Sequence, residues 1–436
     1  MNTETSFRFD FSLLFVSILL TGIGVAFVYS SGVTSTGEVY SSEYIKQTIW
    51  AILGLVTLFV VSLLDYNRFK GWAFRIYLGN LVLLVLTLFF GKVVNGSKSW
   101  IGIWELGIQP SEFMKVSTIL YLASFLERYP YRLSTWSGFF MAFGIVLLPM
   151  GLILLQPDFG TAMVFIPIFF FMVFTAGANL QYILFFFSMG ILSILFAVLP
   201  LYGTLIGKRT PSFFLRLGDP DIVTILLAGF LGITFLSFLG LWLTKRRYLY
   251  RTGYIGLLVS GSLIAAMVFR KFLKSYQLMR LMVFLNPSLD PKGAGWNIIQ
   301  SITAVGSGGF WGKGFLQGPH SHFRYIPQQS TDFIFSIIAE EWGFVGSTLV
   351  LVLFGVLLFR GVRIMTLTKD PFVRYASSGI VGMVFFHVMI NIGMAMGIMP
   401  ITGIPLFFLS YGGSSLITVM ISVGLLSNFY LRRYKY

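Results

Sequence analysis

Twelve long apolar windows constrain this chain more than any other feature of its sequence. Hydrocarbon about 30 Å thick needs roughly 20 apolar residues in a helix, and most of the windows approach that length. Of the 436 residues, 56% are hydrophobic and 11% are charged. Backbone groups in lipid must be satisfied within the segment, so these runs predict an all-α polytopic membrane protein of about twelve transmembrane helices, with no spanning sheet. The windows are 11–30, 45–64, 73–91, 112–127, 137–155, 160–177, 180–201, 222–243, 253–270, 332–359, 373–398 and 405–430.

The net charge of +15 does not indicate nucleic-acid binding, because most of the excess lies beside the apolar windows, where Lys and Arg meet anionic lipid headgroups. With the N-terminus inside, inner segments hold 17 Lys and Arg and short outer segments hold 7. This bias predicts a multi-pass protein of the cytoplasmic (inner) membrane with both termini cytoplasmic. The first window lacks a basic leader and a small-residue cleavage site, so we interpret it as a retained span. The absence of cysteine excludes disulfides and thiolate chemistry.

One integral membrane domain, 1–436, is expected, with a large extracytoplasmic loop at 271–331. A loop of this length in a compact domain is usually functional or disordered. Its apolar anchors, such as Trp296 and Phe310, argue against disorder, and Asn297 to Ala304 has the pattern of a short amphipathic helix.

Asp332 is the strongest candidate for chemistry, because it stands where this loop enters an apolar window. Ionisable groups at such positions are costly and usually functional. Glu112 and Lys115, spaced i, i+3 after Pro110, can pair on one face of a helix. They either tether the helix end or place a lysine in a cavity to hold an anionic group. Asp158, after a Gln-Pro break, has a complete structural explanation as a helix cap.

Other polar residues favour structural interpretations. His320 and His322 suggest a metal site only weakly, because loop histidines are mostly solvated. His387 is expected to bond to a neighbouring helix. Adjacent Glu340 and Glu341 cannot share a helix face, so at most one lines a cavity with Asp332. The glycines after residue 306 match neither a Walker nor a Rossmann pattern, although such a loop could approach a sugar or pyrophosphate.

Eight polar motifs are spread over nearly the whole chain. They are Gln109-Pro110-Ser111-Glu112-x-x-Lys115, Gln156-Pro157-Asp158-x-Gly160-Thr161, Asn286-Pro287, Gly293-x-Gly295-x-Asn297-x-x-Gln300-Ser301, Gly306-x-Gly308-Gly309, Thr331-Asp332-Phe333-Ile334-Phe335, Glu340-Glu341-x-Gly343 and Ser410-Tyr411-Gly412-Gly413-Ser414-Ser415. In sequence and order these motifs resemble the SEDS family (shape, elongation, division and sporulation). Two further motifs, Asn391-Ile392-Gly393 and Gly403-Ile404-Pro405-Leu406, resemble the elongation branch of that family more than the division branch.

The resemblance implies a peptidoglycan glycosyltransferase that polymerises lipid II at the outer membrane face. It also implies a class B penicillin-binding protein as transpeptidase partner, along with other proteins of the elongation complex. The family's essential carboxylate corresponds to Asp332. Its substrate-binding residues correspond to Glu112, Lys115, Asp158, Trp100 and Arg280, with Asn297 and Gln300 in the loop motif.

Two departures from the family pattern stand out. Pro327-Gln328-Gln329-Ser330 replaces the usual Pro-Glu-x-His before Thr-Asp, so this chain lacks the carboxylate and the imidazole that family members have beside the essential aspartate. The family typically has ten spans, so residues 202–270 are predicted to insert two helices.

The mechanism we expect is an inverting one. Asp332 acts as general base on a sugar 4-hydroxyl that attacks the anomeric carbon, and Lys115 and Arg280 stabilise the leaving pyrophosphate. The hypothesis allows a divalent cation, Mg²⁺ or Mn²⁺, held by carboxylates. A lipid flippase or transporter is the main rival, because intramembrane ionisable residues and broken helices fit it too. A non-catalytic scaffold is the third interpretation.

Overall fold

The computed structural model describes residues 10–94, 96–102, 107–130, 133, 135–206, 219–272, 275–291 and 293–433. These residues are almost entirely helical. The helices are α1 (Phe11–Ser31), α2 (Glu43–Leu63), α3 (Tyr66–Phe90), α4 (Pro110–Arg128), α5 (Trp136–Leu155), α6 (Phe159–Thr175), α7 (Leu180–Ile206), α8 (Pro220–Thr244), α9 (Arg247–Phe272), α10 (Ser275–Leu285), α11 (Ala294–Ser307), α12 (Pro319–His322), α13 (Ile334–Leu367), α14 (Pro371–Ala395) and α15 (Gly413–Leu431).

All twelve apolar windows contain one of these helices, so the predicted all-α membrane architecture is confirmed. Within the described residues, ten of these helices are both long and apolar enough to cross a membrane. The two others are α4, which carries Glu112, Lys115, Glu127 and Arg128, and α6, which has 17 residues.

Aspartate side chains begin many of the helices. In each case the carboxylate accepts from backbone N–H groups of the first turn, which have no partner within the helix. Proline, which has no N–H to lose, occupies the first helical position of α4, α8 and α14. The capping residues are Asp10, Asp65, Asp158, Asp219 and Asp370.

Sequence reasoning did not predict the small hairpin between α3 and α4. Strand β1 (Lys92–Val94) pairs antiparallel with β2 (Ser97–Trp100). The hairpin lies in a predicted outer segment rather than in a spanning window, so the exclusion of a membrane-spanning sheet is unaffected. The Lys98 N–H donates to the carbonyl of Gln156 (3.1 Å), which joins the hairpin to the connection between α5 and α6.

The chain divides into two compact units, residues 1–178 with 297–436 and residues 179–296. In the first unit, α14 and α15 are the central helices, because 78% of the spanning window of each is buried, against 22–50% for the other spans of that unit. Helix α14 packs on α4, α6 and α13, and α15 packs on α2 and α4. The second unit consists of α7, α8, α9 and α10, in which α9 packs on α7 and α8. That the 202–270 helices are an insertion in the family stays a prediction.

The prediction for the last window, 405–430, was wrong at its start, because α15 begins only at Gly413. Residues 402–412 form a non-helical connection, termed the 402–412 segment. Gly403 and Phe408 have positive φ values of 73° and 66°, and Pro405 cannot donate a helical hydrogen bond. This stretch is as apolar as a membrane span, which explains the wrong prediction. Its backbone groups are instead hydrogen-bonded to side chains of neighbouring helices.

Candidate active site

The Asp332 turn lies immediately before α13. Asp332 is half-buried, and its N–H donates to the carbonyl of Gln328 at 3.0 Å. Gln328 has a positive φ of 52°, which closes the turn tightly. The sequence therefore places a carboxylate at the entrance of a long apolar helix, as predicted.

Three successive backbone carbonyls of this turn each accept a hydrogen bond from a different donor. The Tyr411 N–H donates to Ser330 (2.8 Å), the Ser410 hydroxyl to Thr331 (2.5 Å), and the Asn391 Nδ2 amide to Asp332 (2.9 Å). None of these bonds uses the Asp332 carboxylate, so the backbone is fixed independently of the group proposed to do the chemistry.

The donors are themselves held by the 402–412 segment. The Ser410 hydroxyl also accepts from the Leu406 N–H at 2.8 Å, and Asn391 Nδ2 donates additionally to the carbonyl of Ile404 at 2.8 Å. From α2, the amide of Gln47 donates to the Ser410 carbonyl and accepts from the Gly412 N–H, both at 3.2 Å. The small and polar residues of this segment therefore position the Asp332 turn.

The first glycine of α15 is required by close packing. A Cβ on Gly413 would lie 2.3 Å from the indole ring of Trp50 in α2. The start of α15 therefore lies directly against α2, which also carries Gln47, and this contact fixes the end of the 402–412 segment.

Lys115 is fully buried and has two polar partners. Its Nζ lies 2.7 Å from Oε1 of Glu112, so the predicted ion pair is present, and 3.2 Å from Nε2 of His387. Nδ1 of His387 lies 2.9 Å from the carbonyl of Pro405, which can only accept, so Nδ1 carries the proton and Nε2 accepts from the ammonium group. The His387 ring stacks on Phe407 with 3.7 Å between ring centroids.

These contacts confirm that His387 bonds to a neighbouring helix. They also mean that Lys115 is enclosed in this conformation and does not face an open cavity. Its predicted role in holding a substrate anion stays a prediction.

Asp158 caps α6, as the sequence indicated. Its carboxylate accepts from the N–H and hydroxyl of Thr161 (3.1 and 2.9 Å) and from Nε2 of Gln109 (2.8 Å). Desolvation raises the pKa of Asp158, opposed by the Thr161 and Gln109 hydrogen bonds and by the charge of Lys115. The Gln109 N–H in turn donates to the hydroxyl of Ser414 in α15 at 3.0 Å.

The three candidate groups are connected through α14 and the residues around the 402–412 segment. His387 and Asn391 are four residues apart and share one face of α14. His387 links Lys115 to Pro405, and Asn391 links Ile404 to Asp332. Asp158 reaches the start of α15 through Gln109. Helix α14 and the 402–412 segment therefore position Lys115 and Asp332, and the start of α15 contacts Asp158 through Gln109.

The remaining predicted residues lie on elements other than the Asp332 turn. Trp100 ends β2, half-buried, with its ring against Gly107. Asn297 and Gln300 are half-buried and lie about one turn apart on α11, the helix predicted for that stretch. Arg280 is in α10 of the second unit. Their roles in substrate binding stay predictions.

The prediction that the loop histidines are solvated was wrong. His320 is mostly buried, with Nδ1 2.8 Å from Oε1 of Glu340. His322 is buried, with Nδ1 2.8 Å from the carbonyl of Val33 and Nε2 3.4 Å from Oε1 of Glu341. The two glutamates have different neighbours, as their adjacency required, but neither contact set includes Asp332. Both carboxylates hold the loop instead, which sequence spacing alone does not reveal.

Gly308 and Gly312 of that loop pack closely against the backbone of α13 at Ala339 and Glu341. Gly343, with φ of 63°, kinks α13, and a Cβ there would lie 2.3 Å from the N of Gly312. This contact is a sufficient reason for both glycines. The sugar or pyrophosphate contact suggested by the sequence stays a prediction.

We expect the loop around His322 to be held more firmly at acidic than at alkaline pH. Interaction with the Glu341 carboxylate raises the pKa of His322, and the Val33 carbonyl adds to this while burial opposes it. Because the pKa of His322 is higher in the folded state, protonation of His322 stabilises the folded state. This stabilisation is fully present below the unfolded-state pKa of about 6.5 and is lost as the pH rises through the folded-state pKa. Amide exchange of residues 316–323, corrected for intrinsic rates, should be slower at about pH 6 than at about pH 9. Exchange in His322→Gln that keeps the same pH dependence would contradict this.

Replacing Asn391 by leucine should destabilise the first unit strongly. The carbonyls of Asp332 and Ile404 would lose their donor, at about 1–3 kcal/mol each, so the free energy of unfolding should fall by about 2–6 kcal/mol. Asn80→Leu is the matched control, because Asn80 donates only to the Ile76 carbonyl of its own helix. Both variants are measured by thermal unfolding in detergent. An equal loss of stability in the two would contradict the prediction that the Asn391 hydrogen bonds stabilise the first unit.

Sequence reasoning missed Asn391, Ser410 and Gln47 as positioning residues. Asn391 has a sequence signal only as part of its motif, and the amide of Gln47 carries no local signal because its partners are more than 360 residues away in the chain. A buried amide or hydroxyl inside an apolar window, which needs a partner, was the available clue.

Comparison with known proteins gives similarity over nearly the whole chain. The FtsW/RodA/SpoVE family model, described as a cell cycle protein, matches residues 11–220 and 212–435. The peptidoglycan glycosyltransferase RodA of Treponema pallidum is 47% identical over 426 residues, covering 98% of this chain and 98% of the relative. A chain in a solved peptidoglycan synthase complex that coordinates polymerization and crosslinking has a TM-score of 0.70 at 27% identity, covering 98% and 99%. The crystal structure of RodA from Thermus thermophilus has a TM-score of 0.60 at 25% sequence identity, and the match covers 98% of this chain and 98% of that chain.

Proposed function

The chain belongs to the FtsW/RodA/SpoVE family, and on that premise we propose that it is a peptidoglycan glycosyltransferase that polymerises lipid II. The observation that carries the proposal in this chain is the Asp332 turn. Its three carbonyls are fixed by α14 and the 402–412 segment, so one carboxylate is held at the entrance of α13. A preorganised carboxylate at the membrane rim suits a reaction between a lipid-linked sugar and a hydroxyl group.

Asp332 would act as general base. It removes the proton of a sugar 4-hydroxyl as that oxygen attacks the anomeric carbon of a second lipid II molecule. The bond from the anomeric carbon to the pyrophosphate breaks, and polyprenyl pyrophosphate leaves. A single displacement of this kind inverts the anomeric centre and needs no carboxylate nucleophile.

The leaving pyrophosphate needs positive charge nearby. We propose Lys115 and Arg280 for this, with Glu112, Asp158, Trp100, Asn297 and Gln300 shaping the substrate site. Because Lys115 is enclosed by Glu112 and His387, a substrate phosphate reaches it only if α4 and α14 separate locally.

A divalent cation has no ligand set formed by the protein alone in the described part of the chain. Among the described residues, no group of three or more His, Asp or Glu side chains is arranged to hold a metal ion. Mg²⁺ is commonly bound by one or two carboxylates together with substrate phosphates. We therefore propose that any Mg²⁺ or Mn²⁺ involved arrives with the pyrophosphate, and no step of the mechanism depends on it.

The deciding experiment supplies purified protein in detergent with fluorescent lipid II and resolves the products on a gel. Formation of glycan chains would support the glycosyltransferase proposal, because detergent micelles have no leaflets between which a flippase could move lipid. If the protein moves lipid II across vesicles but makes no polymer in detergent, alone or with a partner, the flippase alternative replaces the proposal.

A class B penicillin-binding protein is the proposed partner, acting as transpeptidase beside other proteins of the elongation complex. Support comes from the fold similarity to a chain of a complex that both polymerises and crosslinks. Co-purification of the two proteins, with polymerisation measured with and without the partner, tests this.

We also propose the cytoplasmic membrane as location, with both termini inside. Contacts of the first unit fall into two groups that agree with the Lys and Arg distribution. Two contacts join segments predicted to be cytoplasmic: Arg360 pairs with Asp10, and Tyr66 donates to Asp370. Two others join segments predicted to be outside: His322 bonds to the carbonyl of Val33, and the Lys98 N–H donates to Gln156.

Single cysteines give a direct test, because the native chain has none. In intact cells stripped of any outer membrane, a membrane-impermeant maleimide should label Thr36→Cys, an exposed residue between α1 and α2. Lys369→Cys, exposed between α13 and α14, should react only after lysis. The opposite pattern would invert the topology.

A further inference from the structure

A groove of about 590 Å³ lies within the second unit, where the start of α7 meets the turn between α8 and α9. Its lining combines basic, aromatic and apolar side chains. The lining residues are Gln181, Leu184, Leu241, Arg247, Tyr250, Arg251, Tyr254 and Ile255.

The basic part of the lining consists of Arg247 and Arg251, for which the described residues supply no ion-pair partner. Lys245, Arg246, Arg247 and Arg251 fall within seven residues, and in the described part of the chain none of them forms an ion pair. Arg247 and Arg251 are four residues apart, so they lie on one face of α9. They also stand at a helix N-terminus, where the backbone dipole is positive and disfavours cations. An anion in the groove would relieve both effects.

The other groove residues suit the rest of an amphiphile. Tyr254 donates its hydroxyl to the carbonyl of Gln181 at 3.3 Å, and Tyr250 lies one turn away on α9. Tyrosine has an apolar ring and a polar tip, which fits the level of lipid headgroups. Leu184, Leu241 and Ile255 complete an apolar surface that matches an acyl chain.

We propose that this groove is a binding site for one anionic phospholipid of the cytoplasmic leaflet. The phosphodiester group lies between Arg247 and Arg251, and an acyl chain lies along Leu184, Leu241 and Ile255. A basic pocket between membrane helices recognises acidic headgroups in this way. The pairing of two arginines with a defined apolar surface distinguishes the site from the general attraction of juxtamembrane charges to the bilayer. The proposal does not depend on the glycosyltransferase assignment.

The test compares lipids that remain bound to the full-length protein after its extraction from bilayers of mixed phosphatidylglycerol and phosphatidylcholine. Native mass spectrometry counts the adducts across a series of lipid ratios. We expect a single phosphatidylglycerol adduct on the unchanged protein. In Arg247→Gln/Arg251→Gln its affinity should fall about thirtyfold, since each basic residue near an anionic headgroup contributes appreciably to binding.

Lys245→Gln/Arg246→Gln is the matched control, because it removes the same charge from the same turn without touching the groove lining. It should keep the adduct. Arg247→Lys/Arg251→Lys, which retains the charge, should keep most of the binding. An unchanged thermal unfolding midpoint of the glutamine variant excludes misfolding as the cause of its loss. Equal loss in both glutamine pairs, equal retention of phosphatidylcholine, or displacement of the lipid by inorganic phosphate would overturn the proposal.

Discussion

Asp332→Asn is expected to abolish lipid II polymerisation while leaving the protein folded. A positioned general base contributes roughly 10²–10⁴-fold to a rate, so polymer formation should fall by at least about a hundredfold. Asparagine has nearly the shape of aspartate but is not a base at neutral pH. The three hydrogen bonds that fix the turn use the backbone carbonyls of Ser330, Thr331 and Asp332, and the substitution leaves those carbonyls in place.

The measurement is polymer formation from fluorescent lipid II by purified protein, alone and with its transpeptidase partner, alongside the thermal unfolding midpoint. Asp65→Asn is the matched control. Asp65 caps α3, where asparagine caps as well as aspartate, so this variant should keep both stability and activity. Near-normal polymer from Asp332→Asn would remove Asp332 from the role of base. Loss of polymer together with a large fall in the unfolding midpoint would show a structural role instead.

The helices of this protein were predictable because lipid imposes a simple rule. Apolar runs of sufficient length must be helical, so all twelve windows contain a helix in the structure. The same rule failed at the 402–412 segment. There the run is equally apolar, yet backbone groups find partners in side chains of α2 and α14, and hydropathy does not encode such partners.

The candidate site was predictable only where the signal is local. The Glu112–Lys115 pair and the Asp158 cap follow from spacings of three residues, and both are present. Other contacts of Asp332, Lys115 and His322 come from distant parts of the chain. His387 lies 272 residues from Lys115, and Val33 lies 289 residues from His322. Sequence spacing identified candidate residues but not the contacts that position them.

Lys115→Met should cause a large loss of stability in the first unit. Removing one partner of a buried ion pair leaves the other charge without compensation, at about 3–5 kcal/mol, and Glu112 is almost as completely buried as Lys115. His387 would also lose the ammonium group that its Nε2 accepts from. Lys70→Met is the matched control. Lys70 pairs with Glu127 in a partly exposed position, so its loss should change the free energy of unfolding by no more than about 1 kcal/mol.

The double variant Glu112→Gln/Lys115→Met separates the two roles of the pair. With no charge left uncompensated, most of the lost stability should return, since neutral replacement of a buried pair is often nearly neutral for stability. If Lys115 serves only to tether the start of α4, polymerisation should return with stability. If its charge stabilises the departing pyrophosphate, the double variant should fold well and still make no polymer, because a neutral side chain cannot compensate a developing negative charge. We expect the second result. Recovery of polymer by the double variant would leave Arg280 as the remaining candidate for the leaving group.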